Sequence, residues 1–459
     1  MQLVALNAKS RNKRQDGGVR NLYIALRGRE SRDPAKCAAP CGAVTFTTEI
    51  LVTLKRRSFL GAGGAASALA LGAWSLPASA QAGEVVVGCI QDLSGPLQVF
   101  GQPKHQILKF GIEELNAEGG LLGRRLRLVA YDAQSNNQLY AQFAQQLALR
   151  DKAAVAFAAT TSAAREVVRP VLARSHTPYF YNTPYEGGVC DRNTVVTGVT
   201  PSQSLQLMVP WLIKRYGKRV YVLGADYNFG QLSAKWIRRL AADNGGEVVG
   251  AELFPLDVAN FSATLGKIQA AQPHVVINSF VGPAHASFYG QWAASGLKGK
   301  IALASQTFGS AGEHLSMPQE VTNGIYISNN YMQELDLPSN VAFLKRFRAA
   351  GYKDYVSEVV IDEYIGLQLW AAAVRKAGSF EREAVMKVID SGISAPTPLG
   401  SVALDAATRH CRYDIYLMET RDGGFRVLET SKGVVPTDTG GQCDLVKNPT
   451  TNRQFEPSV

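Results

Sequence analysis

The part of the sequence that is expected to fold lacks an excess of charge of either sign. The 459 residues carry 48 Lys and Arg against 38 Asp and Glu, a formal net charge of +10. Residues 1–80 hold 12 basic and 4 acidic residues, so residues 81–459 have a net charge of only +2. Nucleic-acid binding requires basic residues that cluster on a folded surface. We therefore expect no nucleic-acid partner.

The chain after residue 80 also lacks the short motifs of common enzymes and metal sites. It contains no HExxH, Walker loop, GxSxG or CxxC pattern. Its histidines lie far apart, at His105, His176, His274, His285, His314 and His410. Metal ligands usually recur at short, fixed spacings, so we expect no metal, no cofactor and no enzyme. Catalytic residues can also come from distant positions, which leaves a secreted amide hydrolase with Ser162 as nucleophile as an alternative.

Cysteine is scarce, and two of the six cysteines fall in the first 80 residues. The others are Cys89, Cys190, Cys411 and Cys443. An exported protein can oxidise such cysteines, and four of them allow three complete pairings between which sequence cannot choose. We favour a disulfide between Cys411 and Cys443, which would hold the C-terminal tail. Cys89 lies in an apolar run, where we expect a buried free thiol.

The basic residues near the start belong to an export signal. Lys55-Arg56-Arg57 precedes a Gly-, Ala- and Leu-rich run over residues 61–76, and small residues end the segment at Ala80. This pattern is typical of a signal peptide that is cleaved after Ala80. Arg56-Arg57 before Ser-Phe-Leu resembles a twin-arginine export signal, and the run is short for a membrane anchor. We expect residues 1–51 to be disordered or a gene-model artefact, with translation starting near residue 52 or 54.

The sequence from residue 84 alternates between apolar runs and segments with helical spacing. Continuous apolar runs, as at residues 84–90, predict buried strands, and a helix is predicted after each of them. The β-α pattern runs to residue 181, restarts at residue 204 and ends in a β-rich portion at residues 400–428 that looks antiparallel. The pattern predicts an α/β fold with two doubly wound lobes, mainly parallel sheets and a multi-segment hinge.

The expected domain organisation follows from this order of elements. Residues 1–80 form the leader, with the signal peptide at 52–80. Lobe 1 comprises residues 84–201 and 330–392, lobe 2 comprises residues 202–329 and 393–430, and residues 431–459 form a C-terminal tail. The hinge crossings are expected near residues 199–204, 329–331 and 391–398.

Hydroxyl and aromatic side chains stand where the predicted strands end. These strand ends are Thr160-Thr161-Ser162, Tyr181-Asn182-Thr183, Asp226-Tyr227-Asn228-Phe229, Phe280-Val281-Gly282-Pro283 and Ser305-Gln306-Thr307-Phe308. Ser162 opens a helix, where an N-cap role is the simplest interpretation. Ligands of doubly wound sheets bind outside the carboxyl ends of the strands. We therefore expect these five segments to face one cleft between the lobes.

Several of these motifs resemble the type I periplasmic solute-binding proteins of ABC importers, relatives of the leucine/isoleucine/valine-binding proteins. The resemblance rests on Asp92-Leu-Ser-Gly95, on the helix end at residues 114–120 and on Tyr131-Asp132. Within that family, residues 181–187 are similar to the Tyr-Pro-x-x-Tyr-Glu-Gly signature of the urea- and short-chain-amide-binding branch. Residues 224–227 are similar to its Gly-Ser-Asp-Tyr signature.

The resemblance implies a set of ligand contacts at the strand ends. It points to Ser162, Tyr181, Thr183, Tyr227 and Thr307, with Thr161 beside them and Phe229 as a wall. Thr160 stands where amide binders often have an aromatic residue, and Phe229 where they often have tyrosine. These departures fit a slightly larger or differently shaped ligand. The resemblance further implies a periplasmic monomer that serves an ABC transporter permease in the inner membrane.

The distribution of acidic residues favours an uncharged solute. An amino-acid binder needs a carboxylate to meet the ammonium group, because an unpaired buried charge is costly. Residues 305–310 contain no acid, Asp226 is expected to cap a turn, and Glu186 is expected to cap backbone groups. We expect urea or a short-chain amide as ligand. The alternatives are an amino acid paired with Asp226 or Glu313, and a ligand-sensing receptor module of the same fold.

Overall fold

The computed structural model describes residues 83–456 and shows an α/β protein with two large sheets. The expected leader, including the signal peptide and its cleavage site, lies outside the described residues. The strands are β1 (Val85–Gln91), β2 (Leu126–Asp132), β3 (Val155–Ala158), β4 (Tyr179–Tyr181), β5 (Val189–Asp191), β6 (Thr194–Val196), β7 (Arg219–Ala225), β8 (Glu247–Phe254), β9 (Val275–Ser279), β10 (Ala302–Ser305), β11 (Ile325–Asn329), β12 (Ser394–Thr397), β13 (Gly400–Leu404), β14 (Cys411–Arg421), β15 (Gly424–Val434) and β16 (Asn452–Gln454).

Helices separate most of these strands. They are α1 (Gln98–Ala117), α2 (Asn137–Gln145, continued by a π-helical turn at Gln146–Arg150), α3 (Ser162–Arg174), α4 (Pro201–Tyr216), α5 (Asn228–Asp243), α6 (Ser262–Ala271), α7 (Ala284–Ala294), α8 (Glu313–Ser316), α9 (Gln319–Thr322), α10 (Pro338–Ala349), α11 (Glu358–Ala377) and α12 (Arg382–Asp390). None of the helices within residues 83–456 combines the length and the apolar character that a membrane span requires.

The first sheet contains five parallel strands in the order β2-β1-β3-β4-β6. Every side chain of β3 and β4 is buried, as is expected of parallel strands that helices cover on both faces. The chain winds to opposite sides of β1, so the loops after β1 and β3 separate at the carboxyl edge. A crevice for a ligand forms at such a switch point.

The second sheet repeats this plan and adds antiparallel strands. Its parallel part has the order β8-β7-β9-β10-β11, and β14, β13, β12 and β15 extend it in antiparallel pairing. The α/β class with two doubly wound, mainly parallel sheets is therefore confirmed. So is the antiparallel character of residues 400–428.

Helix α11 is buried almost all round and packs against α1. The two helices approach closely at Gly111, where an added Cβ would lie 2.7 Å from Cδ2 of Leu367. A helix with apolar residues on every face belongs in a protein interior. This packing directs the first residue of α11, Glu358, toward the carboxyl edges of the sheets.

The C-terminal tail takes a course that the sequence did not reveal. After β15 in the second sheet, the chain returns to the first-sheet side, where β16 pairs with β5. Cys190 and Cys443 form a disulfide there, with their Cα atoms 5.7 Å apart. The expected Cys411–Cys443 pair is therefore wrong, because the tail leaves the strands that contain Cys411. Cys411 and Cys89 are buried free thiols, which confirms the expectation for Cys89.

Candidate functional site

A narrow cavity of about 30 Å³ lies where the carboxyl edges of the two sheets meet. Its lining combines hydroxyl groups, aromatic rings and one carboxyl group: Phe100, Thr160, Ser162, Tyr181, Thr183, Pro184, Tyr227, Phe229, Val281, Thr307, Ser310, Glu358 and Val359. Six of the seven residues predicted as ligand contacts are in this set. The seventh, Thr161, lines a separate outer hollow that shares Tyr227 with the cavity.

Thr161 and Ser162 have exchanged the roles that their positions suggested. Thr161 is the N-cap of α3, and its hydroxyl accepts a hydrogen bond from the backbone N–H of Ala164 at 3.1 Å. Ser162 is the first residue inside the helix and is buried. The N-cap interpretation of Ser162 is therefore wrong, since an N-cap side chain must lie one residue earlier to reach the free N–H groups.

A buried ion pair holds Ser162 in place. The Ser162 hydroxyl donates a hydrogen bond to Glu186, and Nη2 of Arg165 lies 2.8 Å from Oε1 of the same carboxylate. The guanidinium stacks between the rings of Tyr181 and Tyr185, at 5.0 and 4.6 Å from their centroids. Burying two opposite charges is tolerated when hydrogen bonds satisfy both of them. This arrangement fixes the rotamer of Ser162 at the cavity wall.

Glu186 has a different role from the backbone cap that we expected. Besides Ser162 and Arg165, it accepts hydrogen bonds from Asn228 Nδ2 at 3.0 Å and from Gln454 Nε2 at 2.5 Å. Its partners therefore come from α3, from the start of α5 and from β16. The expectation failed because these partners are distant in sequence, and each of them is a side chain rather than a backbone N–H group.

A second buried cation supports Thr183. Nζ of Lys104 donates to the Thr183 hydroxyl at 2.7 Å, and it lies 3.4 Å from a carboxylate oxygen of Glu363. The Thr183 hydroxyl itself donates to the carbonyl oxygen of Ala159 at 3.3 Å. Both of its hydrogen-bonding roles are therefore filled by the protein. In this segment, the structure places Tyr179 and Phe180 in the core and Thr183 at the cavity.

Tyr181 presents a polar group that the protein leaves unpaired. Its hydroxyl is buried and has no hydrogen-bond partner among residues 83–456. Burial raises the pKa of Tyr181 well above its usual range, so the group stays protonated and able to donate. A buried polar atom without a partner costs about 1–3 kcal/mol. Such an atom in a cavity wall is a candidate contact for a ligand.

The second sheet contributes mainly aromatic surface. The rings of Tyr227 and Phe229 lie 6.1 Å apart at the start of α5. Thr307 follows β10, and its hydroxyl donates to the carbonyl oxygen of Phe280 at 2.6 Å. Val281 completes this wall. These side chains offer apolar contact and few free hydrogen-bonding groups.

The acids that the sequence offered as ammonium partners do not line the cavity. Asp226 is exposed and accepts a hydrogen bond from Gln231 at 3.0 Å. Glu313 accepts from the backbone N–H groups of Gly309 and Ala311, at 2.9 and 3.1 Å. The acid that does line the cavity is Glu358, the first residue of α11.

The Glu358 side chain is fully buried, and one of its oxygens has no partner. Oε1 accepts a hydrogen bond from the Ser310 hydroxyl, while Oε2 has none among the described residues. Burial raises the pKa of Glu358 to about 8, and the nearby charge of Glu313 acts in the same direction. The carboxyl group is therefore mostly protonated at neutral pH.

Seven cavity residues were not among the predicted ligand contacts: Phe100, Thr160, Pro184, Val281, Ser310, Glu358 and Val359. Four of these residues lie at or just past the predicted strand ends: Thr160, Pro184, Val281 and Ser310. The expectation that strand ends face the cleft therefore gave a signal for them. Phe100 lies in the first turn of α1, nine residues after the end of β1, and Glu358-Val359 begin α11, which follows α10 rather than a strand. A signal for Glu358 is its position at the start of a mostly apolar helix, which the sequence marks as a buried element.

The arrangement suits binding better than catalysis. No Lys, Arg or His lines the cavity within the part of the chain that the structure describes. The Ser162 hydroxyl donates to a carboxylate that an arginine already neutralises, so it has no histidine base of the kind that activates a serine nucleophile. Apolar walls with a few fixed polar groups are typical of small-molecule binding sites.

Proteins similar to this chain include solute-binding proteins of ABC transporters. The profile of the periplasmic binding protein family matches residues 84–424. The Leu/Ile/Val-binding protein homolog 6 of Brucella melitensis is 25% identical over 371 residues, which are 76% of this chain and 91% of that protein. Homolog 7 of Brucella abortus is 25% identical over 227 residues, 47% of this chain, and the chain spans only 56% of that relative's length.

Solved structures agree with this placement. A solute-binding protein of an ABC transporter from Rhodopseudomonas palustris, in complex with p-hydroxybenzoic acid, has a TM-score of 0.67 and 25% identity, covering 76% of this chain and 97% of that one. The leucine-, isoleucine-, valine-, threonine- and alanine-binding protein of Brucella ovis has a TM-score of 0.67 and 19% identity, covering 77% and 97%. The family profile spans most of the chain, and the two-sheet fold agrees with it: the chain belongs to the type I periplasmic binding proteins.

Proposed function

We propose that this protein is exported to the periplasm, binds a small neutral polar solute of the urea or short-chain-amide type, and delivers it to an ABC transporter permease. One observation carries the proposal. Hydroxyl and aromatic side chains from strand ends of both sheets meet around one small cavity that no cationic side chain lines, within the described residues. Family membership supports the transport role, because the matching relatives are named as binding proteins.

The charges around the cavity support a neutral ligand. Lys104 and Arg165, the cations beneath the cavity wall, are each paired with a carboxylate, Glu363 and Glu186. An ionised carboxylate on the ligand would therefore enter a cavity without a counter-ion, which is costly in an apolar site. Hydroxyl groups and a protonated carboxyl group provide donors and acceptors without net charge, as an amide or urea requires.

We propose the six predicted residues at the cavity as ligand contacts: Ser162, Tyr181, Thr183, Tyr227, Phe229 and Thr307. Thr161 caps α3 and faces the outer hollow, so its proposed role is to orient the start of α3. We also propose that the protein acts as a monomer without catalytic activity or a cofactor. Its signal peptide would be removed after Ala80.

Closure of two lobes around the ligand is part of the proposal. The lobes would be residues 84–201 with 330–392 and residues 202–329 with 393–430. A polar contact joins the two lobes beside the crossings: Tyr413 donates to the carbonyl oxygen of Thr197 at 2.7 Å. Asn330, at the second crossing, donates to Asp362 within lobe 1 at 2.8 Å. Hinges of this type rotate lobes while each lobe keeps its internal packing. The tail that returns to β5 adds a fourth crossing.

A second candidate is an amino-acid binder. The Brucella relatives named as Leu/Ile/Val-binding protein homologues favour it, and Glu358 provides a carboxyl group inside the cavity. In that case Glu358 would be ionised and would meet the ammonium group of the ligand. The neutral-solute proposal requires the opposite protonation state, which makes the two candidates separable.

A thermal-shift panel tests the proposal. The purified protein is mixed with urea, acetamide, butyramide, leucine and 4-hydroxybenzoate, and its melting temperature is measured at several concentrations. A ligand that binds only the folded state stabilises it by RT ln(1 + [L]/Kd), so we expect urea or an amide to raise the melting temperature. A shift with leucine alone would support the second candidate, and conversion of an amide to product would establish a hydrolase.

A further inference from the structure

We propose that Glu358 acts as a neutral carboxylic acid and donates a hydrogen bond from Oε2 to a carbonyl oxygen of the solute. This inference rests on the proposed function, because it names the group that would select a neutral carbonyl compound in that cavity. It assigns specificity to a helix start rather than to a strand end. It also predicts which solutes are rejected.

The Glu358 carboxyl group is buried, and only one of its two oxygens is bound by the part of the protein that the structure describes. The side chain has no solvent exposure and lines the cavity, and its Oε2 is without a partner among the described residues. Oε1 is occupied by the Ser310 hydroxyl, and Ser357 donates to the Ser310 carbonyl oxygen at 2.6 Å. The hydroxyl group and the carbonyl oxygen of Ser310 thus both bind the start of α11. The carboxyl group cannot turn away, and its free oxygen is left for a ligand.

The surroundings of Glu358 favour the protonated form. The titratable groups that interact with it are Glu313, Asp362 and Tyr355, and none of them carries a positive charge. Lys104 is bound to Glu363, and no cation lines the cavity among the described residues. An ionised, buried carboxylate without a counter-ion is costly, so the group holds its proton. Burial accordingly raises the pKa of Glu358 to about 8.

Three polar groups of the cavity lining are unpaired among the described residues: the Thr160 hydroxyl, which can donate or accept, the Tyr181 hydroxyl and Oε2 of Glu358. The Tyr181 hydroxyl and the protonated Oε2 of Glu358 are both donors without partners. A ligand that satisfies them must offer acceptor atoms, as the carbonyl oxygen of an amide or urea does. An ammonium group offers only donors and would leave both protein donors unpaired, which is how a polar site rejects a ligand.

Two substitutions of Glu358 separate a neutral donor from an ionised acceptor. Glutamine keeps the shape and an N–H donor but cannot ionise, whereas alanine removes the group. We expect E358Q to bind acetamide or butyramide within a few-fold of the wild type, and E358A to bind about tenfold or more weakly. The wild-type Kd should be constant below pH 7 and rise about tenfold per pH unit above pH 8, while the Kd of E358Q should not change with pH.

The opposite pattern would overturn the inference. If E358Q loses binding as severely as E358A, or if wild-type affinity increases between pH 6 and pH 9, Glu358 acts as an ionised acceptor. Equal affinity in the wild type, E358Q and E358A would show that Glu358 does not contact the solute, and the proposed function would stand. E118Q is the matched control, since Glu118 is exposed on the far end of α1.

A measurement without ligand keeps the inference testable if no solute of the panel binds. A folded-state pKa raised above the unfolded value means that the folded protein holds the proton longer, so its stability falls as pH rises from about 5 to 8. The melting temperature of the wild type relative to E358Q should therefore decrease over that range. A constant difference would contradict the neutral carboxyl group, whereas failure of the whole panel with the expected pH trend would count only against the proposed function.

Discussion

The two walls of the cavity are held in place by different physical means. On the first-sheet wall, Ser162 and Thr183 are each bound to a buried ion pair, Arg165–Glu186 and Lys104–Glu363. On the second-sheet wall, the Thr307 hydroxyl is bound to a backbone carbonyl group, and aromatic residues such as Phe280 and Phe288 pack behind it. The first wall therefore has fixed polar groups that depend on paired charges. The second wall depends on apolar packing, so the loss of one of its hydrogen bonds should lower stability less than the same loss on the first wall.

The first prediction concerns a variant that breaks the charge pair behind Ser162. Glu186→Ala leaves Arg165 with only the partly exposed carboxylate of Glu166, 2.9 Å from its Nε, and breaking a buried pair costs about 3–5 kcal/mol. Urea denaturation should show a loss of that size in the free energy of unfolding. Glu247→Ala is the control, because its pair with Arg219 is exposed and should contribute less than about 1 kcal/mol. Similar losses in the two variants would mean that the first wall does not depend on its ion pair.

The second prediction concerns the tail that supports the same wall. Gln454 on β16 donates to Glu186, and the Cys190–Cys443 disulfide fixes the tail against β5. Replacing both cysteines with serine should lower the free energy of unfolding by about 2–4 kcal/mol. The reduced wild type should show the same loss in the same denaturation experiment. A disulfide map with Cys411 in place of Cys190 would contradict the described course of the tail.

The third prediction compares one threonine from each wall. Thr183→Val deprives the buried ammonium group of Lys104 of an acceptor and should cost about 1–3 kcal/mol, whereas Thr307→Val removes a neutral hydrogen bond and should cost about 0.5–1.5 kcal/mol. Both changes keep the side-chain shape, so denaturation curves compare the hydrogen bonds directly. A larger loss for Thr307→Val would reverse the account of the two walls.

The fourth prediction uses two buried tyrosines that differ in their partners. The Tyr181 hydroxyl has none among the described residues, whereas the Tyr289 hydroxyl donates to Asn278 at 3.2 Å. Tyr181→Phe removes an unpaired buried polar atom, so it should raise the free energy of unfolding by about 1–3 kcal/mol and weaken ligand binding about tenfold. Tyr289→Phe should do the reverse, with a small loss of stability and unchanged affinity. Calorimetry and melting curves on both variants check this, and unchanged affinity of Tyr181→Phe would remove it from the site.

Local sequence patterns were sufficient for much of the fold and for part of the site. The alternation of apolar runs and helical spacing from residue 84 predicted the two-sheet α/β fold, and strand ends located six residues that meet at the cavity. These successes share a physical basis, because in a doubly wound sheet the side chain just past a strand lies at the ligand edge.

The features that sequence did not reveal depend on long-range packing. The role of Glu358 depends on how α11 crosses α1 at Gly111, which no local pattern records. The pairing of Cys190 with Cys443 depends on the path of the tail across 253 residues of sequence separation. The role of Glu186 also depends on long-range packing, since three of its partners come from α3, α5 and β16. Short strands such as β5 and β6 escaped prediction because three residues carry too little periodicity.

Titration calorimetry with three solutes of one carbon skeleton tests the central claim most directly. Butyramide, butyrate and butylammonium differ only in the group that meets the cavity, which is neutral, negative or positive. Because no cation lines the described cavity and its acid is protonated at neutral pH, the account predicts that butyramide binds at least about tenfold more tightly than either ion at pH 7. Tighter binding of butyrate or butylammonium would contradict a site built for a neutral polar solute.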